Sequence, residues 1–212
     1  MDDTVQKEKY SHTVLKIPAG INGFTLIELL IAMVVALVIL GATYSIFISQ
    51  NKQISKQDKI VELKQNVRAA MDMMSREVRM AGYDPKPCAS SFDGITVSSA
   101  QLELKADLSG GGVVGAVASG INDEWIIYAY DSTNKVITRK VVNVDSTPQP
   151  FAENITAFTF SLLDGSDSVT TIPANIRKVR LTITGRTFAP IEDGSYPTYT
   201  LSADVYARNL AF

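Results

Sequence analysis

The hydrophobic positions divide the chain into three regions with different periodicities. Residues 29–48 contain no charged side chain. Twenty such residues in a helix, at about 1.5 Å each, reach across the roughly 30 Å apolar core of a bilayer. From Ile60 the apolar residues recur at steps of three and four, which predicts an amphipathic helix. Beyond residue 83, short alternating segments between turn residues predict strands.

The two apolar patterns predict one long helix. Its amphipathic stripe consists of Ile60, Leu63, Val67, Met71, Met74, Val78 and Ala81. No proline interrupts residues 24–81, Gly82 is suited to a C-cap, and Pro85 favours a stop. We therefore expect a transmembrane or assembly helix over residues 24–48 and its amphipathic continuation over 49–82, with Met71 and Met74 in core packing.

The remainder, 83–212, is expected to form a β-rich domain. Strands are predicted at Ile95–Val97, Leu102–Leu104, Trp125–Tyr130, Val136–Val142, 158–162, 178–184 and 200–206, the last two forming a hairpin with a long loop at 188–198. These strands predict a mostly antiparallel sheet with one apolar face, and the helix stripe is the natural cover for it. The predicted fold class is α+β.

Charge and residue usage exclude several kinds of chemistry. Residues 83–212 carry 10 basic and 14 acidic groups, an unfavourable balance for binding nucleic acid. Cys88 is the sole cysteine and His12 the sole histidine, so a Cys/His zinc site and a histidine-based catalytic triad are excluded. Asp164 and Asp167 lie in a predicted turn with too few ligands for calcium. We expect no cofactor, no metal and no enzymatic activity.

The most informative stretch is Gly-Phe-Thr-Leu-Ile-Glu, residues 23–28. It places the carboxylate of Glu28 at the head of the apolar helix, where a charge is costly without a partner. The hexamer, its polar leader and the uninterrupted apolar run resemble the prepilin processing motif of type IV pilins and type II secretion pseudopilins. The resemblance implies a leader at 1–23, cleavage by prepilin peptidase between Gly23 and Phe24, N-methylation of Phe24, and an assembly role for Glu28.

Two further local patterns narrow the resemblance. Arg76–Asp84, at the predicted end of the helix, resembles the corresponding segment of PilW-type minor pilins. Ile176–Thr184 and Tyr206–Leu210 are similar to the terminal hairpin of PilW and of J-type pseudopilins. Within these segments Arg177 and Arg208 are expected to pair with acids or carbonyls across the hairpin. The family plan is a long N-terminal helix packed on a β domain, as the periodicity also predicts.

The implied function is that of a non-enzymatic minor pilin in type IV pilus assembly or initiation. Its partners would be other pilin subunits, prepilin peptidase and an inner-membrane assembly platform. The resemblance places the β domain in the periplasm before assembly and on the pilus or cell surface afterwards. Charge alone does not set this orientation, because five basic residues between 52 and 68 follow the apolar run. A type II secretion pseudopilin and a signal-anchored periplasmic binding or sensor domain stay open as alternatives.

Overall fold

The computed structural model describes residues 23–85, 92–112, 114 and 124–210. The leader up to residue 22 and Cys88 therefore lie outside the described residues. Helix α1 runs from Leu26 to Met80, and the chain divides into two compact units, 1–49 and 50–212. The predicted long helix is confirmed, and the boundary between the units falls within two residues of the end of its charge-free run.

The part of α1 that lies in the first unit is exposed on all sides. Every described residue from 23 to 49 is solvent-accessible, and the helix is long and apolar enough to cross a membrane. A helix that is apolar on all sides needs lipid or other helices around it.

In the second unit, α1 buries one face. Leu63, Val67, Met71, Met74 and Val78 are buried, as are Ala70 and Ser75 between them. Ala81 is also buried and Ile60 is half-buried, so the predicted stripe is confirmed. The helix ends where Gly82 adopts φ +78°, a left-handed conformation that favours glycine at this position.

The strands form two antiparallel sheets. The first is a five-stranded meander of β1 (Ile95–Ser98), β2 (Gln101–Lys105), β3 (Trp125–Asp131), β4 (Val136–Val141) and β5 (Gln149–Ala152). The second contains β6 (Ile155–Leu163), β7 (Lys178–Arg186) and β8 (Thr198–Tyr206), with a 3-10 turn at Pro173–Asn175. All strand pairs in both sheets are antiparallel.

The β domain is thus divided into two sheets, where the sequence predicted one. The break falls between β5 and β6, at Asn154, which has φ +58°. Strand β5 was not predicted, because Pro150 in its centre argues against a strand. The proline is tolerated because β5 is the edge of the first sheet. The predicted terminal hairpin is confirmed, with β7 and β8 joined by residues 187–197.

One continuous core unites the helix face and both sheets. It includes Val67 and Met74 of α1, Tyr128 of β3, and Leu181 and Ile183 of β7, all fully buried. A side chain at Gly185 would meet Leu63 Cδ1 at 2.8 Å and Val67 Cγ2 at 2.9 Å. The helix therefore lies directly on β7 at this glycine, and a larger residue there would push it away.

Candidate functional site

The hexamer that carries the resemblance lies at the start of α1. Gly23, Phe24 and Thr25 precede the helix, and Phe24 is 82% exposed. A Cβ added at Gly23 would meet nothing within 4 Å. The peptide bond between Gly23 and Phe24 is therefore accessible, non-helical backbone that an enzyme can approach.

Thr25 is the N-cap of the helix. Its hydroxyl oxygen accepts a hydrogen bond from the Glu28 N–H at 3.3 Å, and its carbonyl accepts from the Leu29 N–H at 3.2 Å. Threonine at the N-cap followed by glutamate at the third helical position is the sequence of a capping box. Glu28 also lies in the first turn, where a negative charge interacts favourably with the helix dipole. These residues therefore define where α1 begins.

The Glu28 carboxylate itself makes no hydrogen bond or ion pair with any residue that the structure describes. It stands among exposed apolar side chains, with Leu26, Ile27 and Leu29 between 58% and 81% exposed. An ionised carboxylate in such surroundings is stable in water but expensive once lipid or protein covers it.

Thr43, further along the apolar run, differs from Glu28 in this respect. The Thr43 hydroxyl donates to the Ile39 carbonyl at 2.8 Å, so it carries its own partner into an apolar environment. Gly41 is helical, and a Cβ added there would meet no atom within 4 Å, so no close packing within this chain explains the glycine. Glu28, at the head of the run, is thus the charged group whose chemistry calls for an external partner.

The segments Arg76–Asp84 and Tyr206–Leu210 meet at the other end of α1. The Asn209 side-chain amide donates to the carbonyls of Arg79 and Met80, at 3.2 and 3.3 Å, and so caps the helix C-terminus. A side chain at Gly94 would lie 2.4 Å from the Gly82 nitrogen. The Gly82 N–H donates to the Lys105 carbonyl at 2.8 Å. The end of α1, the first β-hairpin and the C-terminal segment therefore contact one another and are held by these hydrogen bonds.

A buried polar cluster ties the same end of the helix to the five-stranded sheet. Arg139 donates from Nε and Nη2 to Glu77 Oε1 at 3.1 and 2.9 Å, and the Tyr128 hydroxyl donates to Glu77 Oε2. The Glu77 and Arg139 side chains are 15% and 14% exposed. Burial, and then the negative charge of Glu77, raise the pKa of the Tyr128 hydroxyl well above its usual range. The phenol therefore stays protonated and serves as a donor.

A second charged cluster lies on the hairpin. Asp204 receives two hydrogen bonds from Arg180, at 2.7 and 2.8 Å, and lies 3.4 Å from Lys178 Nζ. The Arg180 hydrogen bonds lower the pKa of Asp204 to about 2. Lys178 also pairs with Asp167 at 2.6 Å. These are structural ion pairs that hold β7, β8 and the 164–168 turn together.

The expected pairing of Arg177 and Arg208 across the hairpin is wrong. Arg177 donates to the carbonyls of Ala174 and Ile176, both at 2.9 Å, so it closes the local 3-10 turn. Arg208 is exposed and makes no hydrogen bond or ion pair with the described residues. The cross-hairpin ion pair is instead formed by Arg180 and Asp204.

The turn at Asp164 is stabilised by hydrogen bonds from its own residues to the Asp164 carboxylate. Asp164 Oδ1 accepts from the N–H groups of Ser166 and Ser168, at 2.8 and 3.0 Å, and from the Ser166 hydroxyl at 2.8 Å. The hydroxyl bond, followed by the two backbone bonds, lowers the pKa of the Asp164 carboxyl. Gly111 and Gly112 donate in the same way to the buried Asp107, at 3.1 and 2.9 Å. No group of three or more metal-ligating side chains occurs among the described residues.

Sequence reasoning missed three of these features. The Thr25 N-cap was detectable, because Thr25 and Glu28 have the spacing of a capping-box sequence. The Glu77 cluster has no local sequence pattern, because Tyr128 and Arg139 lie 51 and 62 residues after Glu77. Asn209 as a helix cap was equally invisible, since it lies 130 residues after Arg79.

Two family models match the sequence. The model for prepilin peptidase-dependent protein B matches residues 56–206, and the model for the prokaryotic N-terminal methylation motif matches residues 19–44. Among solved structures, a type IV-like pilin, TTHA1219 from Thermus thermophilus, is 14% identical with a TM-score of 0.45, covering 71% of this chain and 98% of that one. No curated protein matches the sequence.

The first of these matches extends over more than half of the 212 residues. The methylation model spans the hexamer and most of the apolar run. The matched families consist of structural pilin-like subunits that depend on prepilin peptidase, which agrees with a non-enzymatic role. The chain belongs to the prepilin peptidase-dependent protein B family of type IV pilin-like proteins.

Proposed function

We propose that this chain is a minor subunit of a type IV pilus, cut between Gly23 and Phe24 and N-methylated at Phe24. The observation that carries the proposal is the combination of the methylation motif over 19–44 with a helix whose first half is fully exposed and apolar. Such a surface is stable only in lipid or in a bundle of similar helices. A pilin-like subunit occupies these two environments in turn.

Glu28 provides the register of the bundle. Cleavage after Gly23 places a new α-amino group on Phe24, immediately before the Thr25 cap. The amino group of one subunit is a partner of opposite charge for the Glu28 carboxylate of the next. Because an unpaired charge in an apolar bundle is costly, only the axial offset that brings the two groups together is favourable.

The capping box offers a competing role for Glu28. A glutamate at this position also stabilises the helix start through its own chain. Glutamine serves a capping box as well as glutamate does, but it carries no charge. The substitutions Glu28→Gln and Glu28→Ala therefore separate charge pairing from capping.

The domain limits and the cellular route belong to the same proposal. Residues 1–23 form the leader, 24–48 the membrane and assembly helix, 49–82 its continuation, and 83–212 a periplasmic domain. The precursor lies in the inner membrane, and an assembly platform there transfers the mature protein to the pilus and the cell surface. Other pilin subunits contact its N-terminal helix.

Two measurements test the proposal. Mass spectrometry of the mature protein should find an N-methylated Phe24 as the first residue, and a retained Met1 or another cut would refute the processing. Glu28→Ala and Glu28→Gln should both remove the protein from sheared pili, with Thr25→Ser as the control that keeps the cap. Normal incorporation of Glu28→Gln would show that capping, not charge, is the function of Glu28.

The choice of machine has its own readout. If the chain instead serves a type II secretion pseudopilus, its deletion abolishes protein secretion and leaves piliation intact. The proposal expects the reverse.

A further inference from the structure

Strand β8 presents a long edge that pairs with no other described strand. It pairs with β7 over all nine residues from Thr198 to Tyr206, without a bulge, and it is the last strand of its sheet. The Thr187 N–H donates to the Pro197 carbonyl at 2.9 Å, which sets the alternation of the ladder. In an antiparallel pair every second residue directs both backbone groups towards its partner strand.

The alternation leaves one set of β8 residues facing outward. Since residue 197 is bonded to β7, so are the other odd-numbered residues of the strand. The even-numbered residues therefore direct their N–H and C=O groups away from the sheet, and none of these groups has a partner among the described residues. They are Thr198, Thr200, Ser202, Asp204 and Tyr206.

The other sheet edges are short or occupied. Strands β1 and β5 have four residues each, and Pro150 removes a donor from β5. The edge of β6 is engaged at both ends: the Ile155 N–H donates to the Lys135 carbonyl at 2.8 Å, and the Thr170 N–H to the Leu162 carbonyl at 2.9 Å. Soluble proteins commonly protect the exposed edges of sheets in these ways, because an unpaired edge strand can bind strands of other chains.

No comparable protection exists on β8. It has no proline and no lysine within Thr198–Tyr206, and its one charge, on Asp204, is neutralised by Arg180. We propose that this edge is a docking site for an extended strand of a second, different pilin-like subunit. A row of alternating backbone donors and acceptors is complementary to another extended polypeptide, which distinguishes it from a surface for small ligands.

The side chains around the edge specify the incoming strand. The inward-facing Tyr199, Leu201 and Ala203 are only partly buried, although they pack on the core. An added strand with alternating apolar residues would complete their cover. Lys64 lies over the Tyr199 ring at 5.7 Å, and Arg68 follows one turn later on the same helix face. An acidic residue on the incoming strand would pair with these cations.

This inference rests on the proposed function for the source of the strand. Subunits whose helices share one membrane or one bundle are tethered together, which raises the effective concentration of their domains. A short strand pairing that is too weak to hold free proteins together is then sufficient. A partner lacking such a helix would not gain this advantage.

Photo-crosslinking in cells that make the full set of pilin subunits tests the site. A benzophenone amino acid replaces Ser202 at the edge, and in the control it replaces Thr182, which faces Ser202 from the central strand β7 at 2.8 Å. The expected adduct at position 202 contains another subunit with an N-terminal methylation motif, in at least tenfold excess over position 182. An adduct with a second copy of this chain, with an unrelated protein, or with nothing refutes the proposal.

Matched substitutions give a second readout. Ser202→Lys and Ser202→Pro block the edge, and Thr182→Lys adds the same charge to the same face one strand away. We expect roughly a tenfold loss of incorporation for Ser202→Pro, which removes an outward backbone N–H and so one strand hydrogen bond. We expect a smaller loss for Ser202→Lys, whose charge lies beside the incoming strand, and near-normal incorporation for Thr182→Lys. If Ser202→Pro does not fold, Ser202→Lys decides. Incorporation of Ser202→Lys equal to that of Thr182→Lys overturns the inference.

The N-terminus of each variant distinguishes this inference from the proposed function. Cleavage after Gly23 in all variants, together with failed crosslinking at position 202, refutes the edge site alone. Absence of cleavage in the unmodified protein refutes the proposed function, and with it the identity assigned to the partner.

Discussion

Removing the Glu77 carboxylate should destabilise the folded domain strongly. Glu77 accepts two hydrogen bonds from Arg139 and one from the buried Tyr128 hydroxyl. In Glu77→Ala the Arg139 guanidinium, 14% exposed, keeps its charge and loses both hydrogen bonds to Glu77. Breaking a buried pair in this way costs about 3–5 kcal/mol.

The expected size follows from the remaining solvent contact. Because both side chains retain some exposure, we place the loss in unfolding free energy for Glu77→Ala near the lower end, at about 3 kcal/mol. Tyr128→Phe removes one hydrogen bond and leaves the ion pair, so it should cost about 1–2 kcal/mol. Glu77→Leu combined with Arg139→Met removes both charges and should be less destabilising than Glu77→Ala alone.

Urea denaturation of the full-length protein in detergent measures these differences. Tryptophan fluorescence is a suitable probe, because Trp125 is the sole tryptophan and lies at the start of β3, the strand that carries Tyr128. A loss below about 1 kcal/mol for Glu77→Ala would refute the reasoning, since an exposed pair has that value. A double variant less stable than the single one would refute the assignment of the cost to the broken Glu77–Arg139 pair.

Three further predictions concern pH and backbone packing. The pKa of Tyr128 is raised on folding, so its contribution to stability is fully present below about pH 10. Above that pH the free energy of unfolding should fall by up to about 1.4 kcal/mol per pH unit. Urea denaturation at pH 9–11 should therefore show a smaller fall in unfolding free energy for Tyr128→Phe than for the native protein. The pKa of Asp204 is lowered from 3.8 to about 2, so its contribution to stability is present above pH 3.8 and is lost as the pH falls through 2. The difference in melting temperature between the native protein and Asp204→Asn should therefore shrink between these two pH values. A constant difference would contradict the ion pair. Gly94→Ala places a methyl group 2.4 Å from the Gly82 nitrogen and should cost about 3 kcal/mol or more, whereas the control Gly165→Ala, with open space around it, should leave the melting temperature nearly unchanged.

Local patterns in the sequence predicted most of the fold. The charge-free run and the stripe from Ile60 to Ala81 depend on spacing along one helix, so they were detectable without any tertiary information. The alternation in β7 and β8 predicted the hairpin in the same way. The break between the two sheets was not predictable, because it depends on a turn at Asn154 and on a strand whose centre is Pro150.

The features of the candidate site likewise fall into those that the sequence predicted and those that it did not. The sequence by itself determined that a long helix begins within residues 23–28 and has one carboxylate at its head, because the motif and the apolar run are contiguous. It also determined the long helix and the terminal hairpin. The tertiary structure alone decided that Asn209 caps α1, that Glu77 binds Arg139, and that the outer edge of β8 pairs with no other described strand. These features depend on residues far apart in the chain or on which strand is last in a sheet, and no local periodicity encodes either.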